Sequence, residues 1–259
     1  MNILECEMLD LLKKLNHEFG AIAIKSEFEA EGSTVEEILR LNEFVYKSGL
    51  VSYIKIGGCE AVNDLNFCKR IDAAGIIVPM VETKFAMTKF IDAVNVVFSK
   101  DDISNLNLIV NAETITCLEN LKHILTINGI KIIKSVTVGR SDLSKSMGID
   151  NSLIEDDIMF SKVKNILDIV NNYGFKAGIG GTISLNSINF INKLLNLINN
   201  FETRKVVFAT DSIKNLDKSI IAAINFEILY IKNKCNNYKQ ILQQDTKRLK
   251  QLENRINLL

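Results

Sequence analysis

From Ala21 to Ala209, short runs of β-branched and aliphatic residues alternate with longer stretches of helical periodicity, and no other feature narrows the fold so far. Apolar runs of this kind, set between amphipathic helices, belong to a parallel sheet whose faces are both covered. The expected strands are residues 21–25, 52–56, 75–81, 108–113, 135–139, 176–179 and 205–209. Helical stretches lie between them at 34–47, 61–71, 84–97, 117–128, 156–173 and 187–199, after a first helix over 4–19. Ser33 and Thr34 followed by Glu36 and Glu37 mark a helix start, where acidic groups suit the helix dipole. Asn128-Gly129 and Tyr173-Gly174 mark helix stops.

Seven strands are plain, and residues 94–98 are apolar enough for an eighth, although they also complete the helix before them. The α/β pattern therefore predicts a (β/α)8-type TIM barrel, irregular if the count stays at seven, with a long C-terminal helix. An open flavodoxin-like sheet is the rival, but a polar residue at nearly every strand end suits closure better. A length of 259 residues is compatible with one barrel. Residues 1–215 are assigned to the barrel and 216–259 to a helical extension. Within the extension Ile231, Cys235, Tyr238, Leu242, Asp245, Leu249, Leu252, Ile256 and Leu259 recur at spacings of four and three, a heptad seam broken only by Asp245. Such a seam either lies on the barrel's own surface or pairs between subunits as a coiled coil. Its narrowness favours a homo-oligomer, with Asp245 setting the register.

Acidic and basic residues balance at 31 each, which gives no reason to expect nucleic acid or a membrane surface as partner. A small anionic substrate is the expected partner. The five cysteines form no CxxC pair, so neither a disulfide framework nor a zinc cluster is indicated. No signal peptide or membrane-spanning stretch is apparent, and the expected location is cytoplasmic.

In a barrel the loops after the strands gather at one face, so polar residues just past strand ends are the site candidates. They are Lys25, Glu27 and Glu29, with Glu31 alternating beyond them; Lys55 and Glu60 around Gly57-Gly58; Glu82; Glu113; Arg140 and Asp142; Gly180 with Gly181 and Thr182; and Glu202 with Arg204. Glu113 and Asp142 follow successive strands, so their oxygens can converge on one cation, and oxygen ligands suit Mg²⁺ or Mn²⁺. Each could equally cap the helix that follows. The glycines at 178, 180 and 181 would let backbone amides approach an anion, or simply form a tight turn.

Three segments resemble one family. VGRSDLSKSMG is similar to the G-x-x-DL-x-x-SMG signature of the HpcH/HpaI aldolase and citrate lyase family, IIVPMVET to its VPMVE strand, and NAET to its glutamate-bearing strand end. The resemblance implies a metal-dependent barrel of the phosphoenolpyruvate and pyruvate superfamily, with Glu113 and Asp142 as the ligands of Mg²⁺ or Mn²⁺. The implied chemistry breaks or forms a carbon–carbon bond beside a 2-oxo acid.

Two departures accompany it. The family places an arginine where this chain has Lys55, and lysine cannot grip a carboxylate with a bidentate fork. The aldolase branch uses a histidine near the first of these strands, whereas the only histidines here are His17 and His123, both on expected helices. Proton transfer then falls to Glu27, Glu29 or Glu60, with Glu27, Glu29 and Lys55 as the catalytic set. Lys25, Glu60, Arg140, Gly180 and Arg204 are the expected substrate contacts. Lys25 or Lys55 could instead form a Schiff base. A binding barrel without turnover, and phosphoenolpyruvate or ester chemistry on the same scaffold, are the other readings.

Overall fold

A computed structural model describes residues 1–238 and 243–257. Eight strands close into a barrel in sequence order: β1 (Ala21–Glu27), β2 (Val51–Lys55), β3 (Gly75–Val78), β4 (Asn107–Ala112), β5 (Ile133–Gly139), β6 (Lys176–Gly180), β7 (Asn200–Glu202) and β8 (Val206–Ala209). The helices are α1 (Ile3–His17), α2 (Val35–Lys47), α3 (Val62–Arg70), α4 (Lys84–Val97), α5 (Lys100–Asn105), α6 (Ile115–Ile124), α7 (Arg140–Ser146), α8 (Asp157–Asn172), α9 (Ile188–Leu194), α10 (Leu216–Tyr238) and α11 (Gln243–Asn257). Thr34 caps α2, and it and Glu37 satisfy each other's backbone N–H groups, as the acidic start predicts. Residues 94–97 finish α4 and are not a strand. Among the described residues no helix is long and apolar enough to cross a membrane.

The barrel is irregular in one respect. Strands β1 to β7 pair in parallel, whereas β8 runs antiparallel to both β7 and β1. A three-residue β7 turns directly into β8, with the Thr203 N–H donating to the Val206 carbonyl at 2.9 Å. The expected strand over 205–209 is therefore the returning arm of a hairpin, and its missing partner is 200–202, too short to carry a period of its own. Glu202, Thr203, Arg204 and Lys205 form the hairpin's tip and meet the ends of the parallel strands.

Period-two alternation sorts the strand residues. On β4, Leu108, Val110 and Ala112 pack outward against the helices, while Ile109 faces the barrel interior with Ala23, Tyr53, Ile77 and Val207. Asn111 continues that inner face toward the mouth. The interior is narrow where Tyr53 crosses it: a Cβ on Gly75 would sit 2.4 Å from the Tyr53 ring.

The long C-terminal helix, α10, joins the outer ring, burying Ile220, Ala223 and Phe226 and packing against α1. Of the seam positions, Leu252 is buried in the main core, and Cys235, Leu249 and Ile256 pack against it. Asp245 lies 3.5 Å from Lys234 of α10 in the same chain. Leu242 and Leu259 lie outside the described residues.

Substituting Gly75→Ala should overfill the interior and lower stability by about 1–3 kcal/mol. Urea unfolding of the two proteins measures it, and an unchanged midpoint would contradict this packing.

Candidate active site

The mouth is a cavity of about 230 Å³ at the carboxyl ends of the parallel strands. Glu113, directly after β4, forms part of its lining and is 2% exposed. One carboxylate oxygen accepts the Met80 N–H at 3.1 Å, the other accepts Asn111 Nδ2–H at 3.1 Å, and Lys55 Nζ stands 3.8 Å away. Two backbone features make room for it. Met80 takes φ +54°, a left-handed conformation that is uncommon for a residue with a side chain, and from it the N–H reaches Glu113. Gly139 ends β5, and a Cβ there would fall 2.8 Å from Glu113 Oε2.

Burial pushes the Glu113 carboxyl above its ordinary pKa, Lys55 and the Met80 N–H oppose the shift, and Asp142 adds to it. Asp142, in the first turn of α7, pairs with Lys145 at 2.9 Å and keeps access to the cavity. Asn111 Oδ1 is buried and accepts no hydrogen bond. Two carboxylates, Glu113 and Asp142, thus line the mouth, with the unsatisfied amide oxygen of Asn111 buried beside Glu113. Among the described residues no group of three or more His, Cys, Asp or Glu side chains is placed to hold an ion. The residues fit Mg²⁺ or Mn²⁺, which commonly take one or two protein carboxylates and leave the other positions to water and substrate.

Across the mouth Lys25 pairs with Glu202. Arg204 divides its guanidinium between Glu31 at 3.2 Å and Glu27 at 3.4 Å, and Lys205 pairs with the same Glu31. Burial alone would raise the Glu31 carboxyl, but the two cations outweigh it and hold the pKa below the ordinary value.

Of the ten residues given catalytic, substrate-binding or metal roles from sequence, the structure brings together seven: Lys25, Glu27, Lys55, Glu113, Asp142, Gly180 and Arg204. Three are placed elsewhere. Glu29 turns outward against Gly57, and Glu60 pairs with Lys89 at 2.7 Å; both line an outer groove rather than the mouth. Arg140 is fully buried, donating to the Gly180 and Gly181 carbonyls and to Glu155, with Phe190 under its guanidinium at 4.6 Å. Its donors tie β6 to the α7 region, so substrate contact is not open to it. His17 and His123 are exposed on α1 and α6.

Sequence reasoning missed Asn111, Ser141, Lys145 and Arg248. Asn111 was accessible through strand alternation, two residues before Glu113. Ser141 bonds Thr182, itself at φ +52°, across the rim at 2.7 Å. Nothing in the local pattern placed Arg248, which arrives from α11.

A family model described as HpcH/HpaI aldolase/citrate lyase matches residues 33–179. Among solved structures, the citrate synthase SbnG is 17% identical, with 76% of this chain and 81% of that chain covered and a TM-score of 0.59. An HpcH/HpaI aldolase from Desulfitobacterium hafniense DCB-2 is 14% identical, covering 75% and 81%, with a TM-score of 0.61. Macrophomate synthase is 14% identical, covering 77% and 81%, with a TM-score of 0.50. These likenesses establish the fold. No curated protein matches the sequence significantly.

Because folding raises the proton affinity of Glu113, this group favours the folded state below the ordinary carboxyl range, and that contribution is lost as pH rises through its folded pKa. In chelator, Glu113→Gln should therefore raise the thermal midpoint near neutrality, with the gain shrinking as pH falls into the carboxyl range. Scanning calorimetry at both ends reads the difference; a variant less stable than wild type near neutrality would contradict it.

Proposed function

We propose that this chain, which belongs to the HpcH/HpaI aldolase/citrate lyase family, is a divalent-metal-dependent carbon–carbon lyase or aldolase acting on a 2-oxo acid or an acidic acyl substrate. The observation that carries the reading is the buried Glu113 carboxylate beside Asp142. It is met by one lysine at 3.8 Å and adjoins an amide oxygen without a partner. A buried charge so lightly compensated calls for a cation.

Glu113 and Asp142 would hold Mg²⁺ or Mn²⁺, with Asn111 Oδ1 as a further oxygen at hand. When bound, such an ion supplies positive charge where the substrate's carbonyl oxygen gains electron density as the carbon–carbon bond breaks. Lys55 neutralises the substrate carboxylate as a point charge, without the fork an arginine would provide. Arg204 offers a second cationic contact on the opposite side. Glu27, which lines the mouth and is oriented by Arg204, takes the proton from the hydroxyl on the carbon being released. Five acidic and five basic side chains line the mouth. A divalent cation makes that balance positive, which favours a small anionic substrate.

A second reading is a barrel that binds such an anion without turning it over. The exposed positions of both histidines, away from the mouth, favour it. Exchange of pyruvate methyl protons into deuterated water, followed by NMR, separates the two. The lyase reading expects exchange that requires Mg²⁺ or Mn²⁺ and falls by about a hundredfold or more in Asp142→Asn, the scale set by losing charge stabilisation at the reacting oxygen. Metal and ligand binding without exchange, for pyruvate and other 2-oxo acids alike, would support the second.

A further inference from the structure

Asp142 has little of its own to fix it. Its side chain is 38% exposed and pairs with Lys145, which is 66% exposed, a contact too well solvated to set a geometry. The helix that carries it is short and uncapped: α7 has seven residues, and Gly139 before it has no side chain to offer the first N–H groups. Yet the start of α7 borders both carboxylates of the mouth, because Gly139 lies against Glu113 and Asp142 follows three residues on.

Arg140, the first residue of α7, supplies what the helix lacks. Its fully buried guanidinium reaches three other segments. At the end of β6, Nε donates to the Gly180 carbonyl at 3.3 Å and Nη2 to the Gly181 carbonyl at 2.9 Å. Ahead of α8, Nη1 and Nη2 donate to the two oxygens of Glu155 at 3.0 and 3.3 Å. Ahead of α9, the Ser187 hydroxyl donates to the same carboxylate at 2.6 Å, and Phe190 of α9 lies under the guanidinium. The turn held in this way presses on α7. Gly181 and Thr182 take φ +88° and +52°, a Cβ on Gly181 would fall 2.5 Å from Ser141 N, and the Thr182 and Ser141 hydroxyls bond at 2.7 Å. A buried ion pair adds little net stability over apolar packing of the same volume. A planar fork that joins four segments fixes their geometry instead.

From this we infer that Arg140 is a positioning residue for the metal site: through Glu155 and the turn at Gly180, Gly181 and Thr182 it sets the start of α7, and so the place of the Asp142 carboxylate beside Glu113. The inference rests on the metal-dependent reading above and adds to it a residue that touches neither cation nor substrate. Lysine is no substitute, because donors gathered on one nitrogen cannot span two carbonyls and both oxygens of a carboxylate.

The test is the Mn²⁺ dissociation constant, read by electron paramagnetic resonance at a temperature where each variant keeps the wild-type circular dichroism spectrum. In the double variant Arg140→Met with Glu155→Gln, which removes both charges of the pair, the constant should rise by about tenfold to a hundredfold, the range for losing a group that supports a metal ligand. The spectrum of the ion still bound should also differ from wild type, since the displaced Asp142 changes its surroundings. Arg140→Lys, which keeps the charge, should lose less affinity. Leu12→Ala separates geometry from stability: Leu12 is fully buried on α1, which lends nothing to the mouth, so the thermal midpoint should fall with Mn²⁺ affinity unchanged. Wild-type affinity in either Arg140 variant, or a loss in Leu12→Ala equal to theirs, overturns the assignment alone. A wild type that binds no Mn²⁺ overturns it together with the reading beneath it.

Discussion

A carboxylate taken out of water destabilises a fold unless charge and hydrogen bonds meet it, and the mouth of this barrel is shaped around one such group. Glu113 occupies the place where β4, β5 and the segment after β3 converge. Gly139 leaves the space, Met80 adopts a left-handed backbone from which its N–H is donated, and Lys55 and Asn111 close in from the neighbouring inner faces. Even so, burial prevails over these partners in setting its acidity. A site stabilised for the fold alone would have a closer counterion. The proposed role as a metal ligand accounts for this, and Asp142 is near enough to be felt electrostatically.

The reversal of β8 sets the rest of the mouth. In a run of parallel strands each chain segment leaves at the mouth and returns outside the barrel, whereas here β8 descends directly through the wall. The hairpin tip therefore stays at the rim and supplies Glu202 to Lys25 and Arg204 to Glu27 and Glu31. Lys205, nearly inaccessible, lies over the Tyr230 ring at 4.4 Å and so joins the rim to α10. Through α10 and Glu227, α11 is brought back to the same opening. The segment that departs from the family match is thus physically continuous with the site it borders.

Most of the barrel was legible because its signals are local. The runs at β1 to β6 carry their own apolar pattern, and Thr34, Glu36 and Glu37 announce α2. β7 was hidden because three residues cannot show a period, and β8 was read in the wrong direction because alternation has no sense of direction. At the site, position at or near a strand end singled out Glu113, Asp142, Lys25, Glu27 and Lys55, all of which line the mouth. The same rule misplaced Glu29 and Arg140, since it cannot tell which way a side chain turns. Glu29 points outward past Gly57, and Arg140 turns inward to carbonyl and carboxylate partners. The heptad seam foretold helices but not what covers them: Leu252 is buried by its own chain.

The central claim is that Glu113 and Asp142 together hold a divalent cation, and titration with Mn²⁺ followed by electron paramagnetic resonance tests it without reference to turnover. The account predicts one bound Mn²⁺ per chain in the wild type, weakened strongly in both Glu113→Gln and Asp142→Asn, with a spectrum that changes when oxalate is added. Equal Mn²⁺ binding in wild type and both variants, or no binding in the wild type, would contradict it.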